Sequence, residues 1–412
     1  MDFNNMKFID LFCGIGGFHQ ALTKLNCKCV FASDINKDSR QVYYNNYNIE
    51  PVGDIRNINA ADIPDFDIIC AGFPCQPFSN AGKKKSFNDD KGLLFDEIIR
   101  IAKEKKPKFM FLENVKHIKK ISGGEVFKYI LKEIKNAGYF IDEDKTVFTL
   151  SPHQLGIPQQ RERIIFVCIR NDIYDKNKQI ELNIPKKNPK QNFDKILETG
   201  TNKKYKVNKE IISNLKCWDK MIKKMDVGQR LSPTILCKEF KTKCKDFKNK
   251  EEQEEFENLV KWKQDYITKN KPIYNKYKKK WDKWFDKNKE LLCKKEIYAK
   301  LEWQAGIKKE NDSIFNYFIQ LRQSGIRVKK TKYFPTLVAI VQTPIYAKEK
   351  RYITPRECAR LQSFPDDFIL HEKDRIAYKQ FGNAVNVDVI YTVVNATFKA
   401  YKNNNKKIVI DI

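Results

Sequence analysis

Cys75 stands in Gly72-Phe-Pro-Cys-Gln-Pro-Phe-Ser79, directly after the apolar run Asp67-Ile-Ile-Cys-Ala71. The run has the composition of a buried parallel strand, and a glycine and two prolines break it. A thiol is thereby held at a strand's carboxyl end, the edge at which open α/β sheets bind their ligands. As a thiolate it would be a nucleophile; the alternative is a small apolar side chain in a rigid loop. Further on, Lys108-Phe-Met-Phe-Leu112 reads as another buried strand and delivers Glu113-Asn114-Val115 to the same edge. Glu113 is there either an acid for proton transfer or the cap of a following helix. Gln159-Gln-Arg-Glu-Arg163 adds two guanidiniums. In an extended strand Arg161 and Arg163 share a face, because side chains alternate. They need anions or carbonyl oxygens to meet, unless they are simply exposed on an edge strand.

These groups require a scaffold that brings strand ends together. Lys7-Phe-Ile-Asp-Leu-Phe12 is a strand candidate, followed by the glycine-rich Cys13-Gly-Ile-Gly-Gly17 and a helix-like run from Phe18 to Leu25. Such a turn lets backbone approach a ligand at a helix N-terminus, although the spacing is not that of the dinucleotide fingerprint. Lys28-Cys-Val-Phe-Ala-Ser33 is a second strand ending on Asp34. Asp34 follows the glycine turn by nearly the distance of about 20 residues at which an acidic residue meets ribose hydroxyls. Its alternative is the N-cap of a helix starting near Asn36. Gly53-Asp54-Ile55 reads as a third acidic strand end, which makes the Cys75 loop follow a fourth strand and Glu113 a fifth. Thr146–Leu150 and Arg163–Ile169 continue the β pattern. Thr354-Pro-Arg-Glu357 reads as a capped helix start, and Gly382-Asn383 as the opening of a last helix. The tail from Lys402 to Lys407 is expected to fray.

At 412 residues the chain is long enough for two domains. Its 79 Lys and Arg against 52 Asp and Glu leave +27, which points to a polyanionic partner or to a lysine-biased genome. The excess is not uniform: residues 201–300 hold 29 basic and 15 acidic side chains, so a quarter of the chain carries about half of it. The same region holds long Lys/Glu stretches, and all five tryptophans fall between 172 and 345 (Trp218, Trp262, Trp281, Trp284, Trp303). The aromatics of 251–303 fit the apolar stripe of an amphipathic helical pair, with base stacking as the other use. The cysteines form no CxxC pair and the histidines are scattered, so no metal site is expected. No leader-like segment opens the chain and no apolar run is long enough to span a bilayer, which suggests a cytoplasmic protein with reduced thiols.

Taken in order, these stretches resemble the DNA cytosine-5 methyltransferase family. Phe8 to Phe18 is similar to its first motif, Gly72 to Ser79 to its Pro-Cys-Gln loop, Glu113-Asn114-Val115 to its acidic motif and Gln159 to Arg163 to its Gln-x-Arg-x-Arg. Arg356 to Pro365 and Gly382-Asn383 match its last two motifs. The resemblance implies an α/β, Rossmann-like fold that binds S-adenosylmethionine, with a smaller target-recognition domain. Catalytic and cofactor-binding residues would occupy 1–171, the target-recognition region 172–350, and 351–412 would return to the catalytic domain. It implies Cys75 as the nucleophile on C6 of a flipped cytosine, Glu113 as proton donor to N3, and Arg161 and Arg163 as nearby positive charge. Phe12, Gly14, Gly16 and Asp34 would hold the amino-acid and ribose portions of the cofactor. Ile35, Asp54 and Ile55 would surround the adenine, and Gly72, Pro74, Leu94, Asn383 and Ala384 would complete the pocket.

Double-stranded DNA is the implied partner. Gln76 and Ser79 would meet it from the catalytic loop. In the recognition region Arg327, Lys329, Lys330 and the Thr336-Leu337 dyad suit groove contact better than burial, with Ser232 to Ile235 as a competing placement. A cognate restriction endonuclease and monomeric action are further expectations from bacterial relatives. The rival readings are a tRNA cytosine-5 methyltransferase, whose compact spacing and Cys-Phe-Thr tripeptide this chain lacks, and a non-catalytic DNA-binding homologue. Lys83, Lys84 and Lys85 are expected to grip phosphate. Replacing all three with glutamine should flatten the log–log dependence of duplex affinity on salt by roughly 0.9 for each phosphate no longer neutralised; an unchanged slope would count against that grip.

Overall fold

Short β-branched and aromatic runs form the strands of a seven-stranded sheet in order β2-β1-β3-β4-β7-β5, with β6 also pairing β7. The computed structural model describes residues 3–74, 94–185, 189–200, 203–239, 250–304, 306–329, 333–338 and 342–402. Cys75, Gln76, Ser79, Lys83, Lys84, Lys85, Lys330 and the tail from 403 lie outside the described residues. Strands β1 (Lys7–Leu11), β2 (Lys28–Ser33), β3 (Ile68–Gly72) and β4 (Phe109–Val115) are parallel neighbours. Strands β5 (Tyr139–Phe140) and β6 (Val147–Leu150) run antiparallel to β7 (Arg163–Arg170), which is itself antiparallel to β4. Helices α1 (Gly17–Thr23), α2 (Lys37–Tyr47), α3 (Leu94–Lys105) and α4 (Glu125–Asn136) complete this part.

Alternation along the strands sorts the side chains. Ile9, Leu11, Ile69, Ala71, Met110 and Leu112 pack with Phe95 and Ile98 of α3 and with Phe127 and Ile130 of α4 in one buried cluster. Because β1 lies between β2 and β3, the order reverses at β1. The crevice outside the carboxyl ends of β1 and β3 is therefore the topological switch point at which this class of sheet binds ligands. The Gly53–Asp54 strand end is corrected. Pro51 and Gly53 bracket a single residue, Val52, that bridges Ser33, and Asp54 instead caps the 3-10 turn Ile55–Asn57 by accepting the Arg56 N–H. The Cys75 loop thus follows the third strand, and Glu113 and Asn114 belong to the fourth rather than to a loop beyond it.

The chain divides into two compact units after Ile196 and again after Thr354, rather than at 171 and 350, with Val338 also grouped with the first. The later first boundary has local reasons: Gln191 donates to the carbonyl oxygen of His153, and Ile196 is buried with its carbonyl oxygen accepting from Arg360. The second unit contains α5 (Lys209–Ile222), α6 (Lys250–Glu257) and α7 (Lys261–Cys293). Its six-stranded sheet runs β13-β12-β10-β11-β9-β8, where β8 is Leu231–Leu236, β9 Lys300–Trp303, β10 Phe318–Arg322, β11 Gly325–Val328, β12 Ile345–Tyr346 and β13 Arg351–Tyr352. Ile267, Tyr274, Trp281, Trp284 and Phe285 of α7 pack with Trp218 and Trp303 in its core. The aromatic stripe is thus packing surface, except for Trp262, which is 48% exposed.

The last segment returns to the first unit as α8 (Pro355–Leu361), α9 (Asp374–Asn383) and α10 (Val387–Lys402). Gly382 and Asn383 close α9 instead of opening the last helix; Asn386 caps α10 by accepting the Val389 N–H at 3.0 Å. Phe398 and Tyr401 of α10 pack against Phe109 of β4, so the end of the chain covers the sheet made by its beginning. The closure is tight at Gly17, where an added Cβ would lie 2.5 Å from Val385 Cγ2 and 2.8 Å from its carbonyl oxygen. Gly17→Ala should destabilise the protein by about 1–3 kcal/mol through overpacking, seen as a lower urea midpoint at unchanged m-value.

Candidate active site

The turn after β1 places Phe12, Gly14 and Gly16 in the left-handed region, at φ of 54°, 55° and 84°. At Gly16 a Cβ would strike the ring of Tyr47 at 2.3 Å, whereas at Gly14 it would meet nothing within 4 Å. Gly14 is therefore the point where backbone lies open to a ligand. Asp34, at the end of β2, holds this turn: its Oδ2 accepts the Gly14 N–H at 2.8 Å and its Oδ1 the Asn36 N–H at 2.8 Å. The helix cap itself is Asn36, which accepts from Ser39, so Asp34 is a clamp between turn and helix. Burial raises its pKa above the ordinary carboxylate value, against the two peptide N–H groups.

Beside it Ile35 is 70% exposed, an apolar side chain left for a flat ligand to cover. Ile55 is withdrawn into the core at 2% exposure, which leaves only its backbone for an adenine contact, and Asp54 is ion-paired with Arg56. Leu94 is half-buried at the start of α3, and Asn383 is exposed with Ala384 half-buried at the end of α9. The open glycine backbone, the Asp34 carboxylate with lone pairs remaining and the uncovered Ile35 fit the ribose and adenine of S-adenosylmethionine.

The neighbouring strand ends carry the second group. Glu113 stands opposite Gly72 in the β3–β4 ladder, and its Oε1 is 3.0 Å from Arg163 Nε. Burial raises the Glu113 pKa, with Arg163 and then Arg161 opposing. A carboxyl so placed keeps its proton to higher pH than an exposed glutamate does. Arg161 is not on an exposed strand. It precedes β7, is buried, and donates to the carbonyl oxygens of Gly382 at 2.9 Å and Ala384 at 3.0 Å. Val385 completes the junction, its Cγ1 lying 3.5 Å from where a Cβ on Gly72 would be.

Three positioning residues had no role assigned from sequence. Asn114 donates to the carbonyl oxygen of Phe73 at 3.0 Å, anchoring the peptide two residues before Cys75; its place between Glu113 and Val115 was the available signal. Gln362 donates to the carbonyl oxygen of Phe381 at 2.8 Å, and the Tyr47 hydroxyl donates to those of Ile15 and Gly16 at 3.2 and 3.0 Å. Nothing in the local spacing announces these last two.

In the second unit the candidate DNA residues are partly engaged. Arg327 Nε pairs with Glu302 Oε2 at 2.7 Å, and Lys329 and Thr336 are half-buried. Leu337, expected to suit groove contact better than burial, is only 5% exposed, an aliphatic side chain withdrawn from water. Thr234 and Ile235, in the competing stretch, are buried in β8 as well.

A parallel sheet with a glycine turn and an acidic clamp at its switch point, flanked by a carboxyl group held by arginines, defines an S-adenosylmethionine-dependent methyltransferase site. The sequence profile of the C-5 cytosine-specific DNA methylases matches residues 6–399, and the chain belongs to that family. It is 30% identical over 401 residues to the type II methyltransferase M.HhaI of Haemophilus parahaemolyticus, covering 96% of this chain and 97% of that one. Its identity to the type II methyltransferase M.BanI of Aneurinibacillus aneurinilyticus is 32% over 444 residues, covering 96% of each. Among solved structures, the Entamoeba histolytica methyltransferase EhMeth shares the fold with a TM-score of 0.55 at 19% identity, over 97% of this chain and all of that one. The protein is a DNA cytosine-5 methyltransferase that uses S-adenosylmethionine as methyl donor.

Glu113→Gln should lower the methyl-transfer rate by roughly 10²- to 10⁴-fold, the usual range for a lost proton donor, in a single-turnover assay. It should also change the pH dependence of stability. A buried carboxyl with a raised pKa binds more protons folded than unfolded, so its contribution falls as pH rises from 4.5. The unfolding free energy of the parent relative to Glu113→Gln should therefore decline from there towards neutrality.

Proposed function

We propose that this protein methylates C5 of a cytosine rotated out of a defined duplex sequence, with Cys75 as its covalent nucleophile and Glu113 as its acid. The thiolate of Cys75 adds to C6 while the Glu113 carboxyl gives its proton to N3, so the ring becomes an enamine whose C5 carbon is nucleophilic. S-adenosylmethionine supplies the methyl group as an electrophilic sulfonium substituent. A base then takes the C5 proton as the C6–S bond breaks and the thiolate leaves, and N3 returns its proton to Glu113, which restores the aromatic ring and the acid. An unperturbed thiol near pKa 8.5 is ionised only to a few per cent at neutral pH, so the positive charge of Arg163 beside Glu113 favours the reactive form.

The observation that carries this reading is the convergence of three strand ends. The Asp34-clamped glycine turn, the Phe73–Pro74 peptide leading to Cys75, and Glu113 opposite Gly72 all meet at the switch-point edge. Rotating the base out costs a few kcal/mol, offset by pocket contacts.

Phe12, Gly14, Gly16, Asp34 and Ile35 would hold the cofactor, with Gly72, Pro74, Leu94, Asn383 and Ala384 about its methyl-donating end and Asp54 and Ile55 near the adenine. Arg327, Lys329, Lys330, Thr336 and Leu337 belong to the part of the second unit assigned to target recognition, together with Gln76, Ser79 and Lys83 to Lys85 of the catalytic loop. The type II names of the relatives support a role as the modification enzyme beside a restriction endonuclease of the same specificity, and monomeric action in the bacterial cytoplasm completes the proposal. Among the described residues no helix is long and apolar enough to cross a membrane.

The test is covalent trapping. Duplex DNA carrying 5-fluorocytosine at the target should form a denaturation-resistant adduct with the parent and none with Cys75→Ser, which should also transfer no labelled methyl to duplex DNA. Transfer to tRNA in preference to duplex, or an adduct that survives the Cys75→Ser change, would overturn the reading.

A further inference from the structure

We propose that the outer face of α7 is a second DNA-contact surface, a row of lysines that binds the backbone of duplex flanking the methylated site. This rests on the DNA substrate proposed above and adds a surface that the catalytic chemistry does not use.

Helix α7 contains eleven lysines against four carboxylates, and they are not scattered. At 100° per residue, Lys269, Lys276, Lys279, Lys280, Lys283 and Lys287 fall within a stripe about 100° wide. All six are exposed, and they lie opposite the buried Tyr274 and Trp281. From Lys269 to Lys287 the row is about 27 Å long at 1.5 Å per residue. The helix is locally broken at Tyr277, but it continues to Cys293 and the charged face continues with it.

Neighbours three and four apart on a helix touch, and like charges there cost roughly 0.2–0.5 kcal/mol per pair. A solvated helix ordinarily relieves this by alternating sign along the face. Here Lys276, Lys279, Lys280, Lys283 and Lys287 follow one another at those spacings with no carboxylate between them inside the stripe; Asp265 and Glu290 stand at its two ends, and Asp282 and Asp286 lie beside it, three residues from Lys279 and Lys283. Among the described residues, Lys276 pairs with Asp226 at 2.9 Å, both half-exposed, and Lys280 donates to the carbonyl oxygen of Lys224 at 3.2 Å. Exposed pairs of this kind contribute about 0–1 kcal/mol and exchange readily for phosphate.

The chemistry that complements such a row is a dense, regular line of anions without apolar anchors. Duplex DNA presents one charge per roughly 1.7 Å of axis, and 27 Å of it covers about 8 base pairs. An acidic protein partner would require an aromatic or aliphatic anchor among the lysines; the exposed Trp262 lies two turns before Lys269, off the end of the row, and the six positions themselves supply only ammonium groups.

The experiment compares the full-length parent with a variant in which all six lysines are glutamine. A second variant carries arginine at the same six positions. Each is measured on a duplex that just spans the target and on one extended by about 30 base pairs on either side, well beyond the stretch the row covers. The parent should show a lower KM and a steeper salt dependence on the extended duplex. The glutamine variant should lose that advantage, its log–log salt slope on the extended duplex falling by about 0.9 for each phosphate it no longer neutralises, while the arginine variant retains it. A glutamine variant with the parental slope and the parental preference for the extended duplex would overturn the proposal, as would a parent indifferent to flank length. Absence of methyl transfer by the parent on both duplexes would instead strike the DNA reading itself, so the two failures are distinguishable.

Discussion

The buried guanidinium of Arg161 is the contact on which the assembled site depends. It stands just before β7, yet its hydrogen bonds go to Gly382 and Ala384, at the far end of the chain. A charge taken out of water is tolerated only when its surroundings are strongly polar, and here two carbonyl oxygens and the field of Glu113 provide that. Burial and the neighbouring Arg163 both push its pKa down, while Glu113 pushes it up. The same carboxylate therefore does two things: it offsets the cost of two arginines and is in turn held by one of them. Breaking the carbonyl contacts of Arg161 would leave that buried charge uncompensated, at a cost of about 3–5 kcal/mol.

Around that contact the backbone is drawn close. Gly17 and Gly72 both face Val385, and at Gly17 there is no room for a side chain on the facing side. Side-chain amides reinforce the closure by reading peptide groups: Asn114 on Phe73, Gln362 on Phe381, Asn386 on the first turn of α10. Glu113 itself is held by the Arg163 guanidinium, while the peptides around it are fixed by amides that carry no charge.

Much of this was legible beforehand because strand ends in a parallel sheet have a distinctive grammar: an apolar run, then a glycine or a polar residue. The glycine turn after Leu11, the acid after Ser33 and the Pro-Cys loop after Ala71 obey it, and the structure brings their described parts to one edge. Asp54 imitated the pattern without the pairing, since Pro51 and Gly53 left only Val52 to bridge a neighbour. Arg161 and Arg163 do meet carbonyl oxygens and a carboxylate, but not as one face of a strand, because β7 begins only at Arg163. Gly382–Asn383 look like a helix start but end one; the cap of the last helix is Asn386, three residues on. Leu337 shows the limit of composition, since lysines flanking a dipeptide say nothing about which way its side chains point. The aromatic stripe of α7, by contrast, was readable as core because Tyr274, Trp281 and Trp284 recur at helical spacing.

The second unit is spliced into the first as a loop, and its two ends are stitched to each other. Lys206 bridges Arg351, the Val207 N–H reaches the carbonyl oxygen of Lys350 at 3.0 Å, and Arg351 and Thr354 both meet Glu198. The two ends of this insert are already tied to each other within it, and among its described residues Val338 alone groups with the first unit. Such a module is exchangeable: evolution can replace the whole cassette, tryptophans and lysine helix included, while the methyl-transferring chemistry on the other side of residues 196 and 355 is inherited intact.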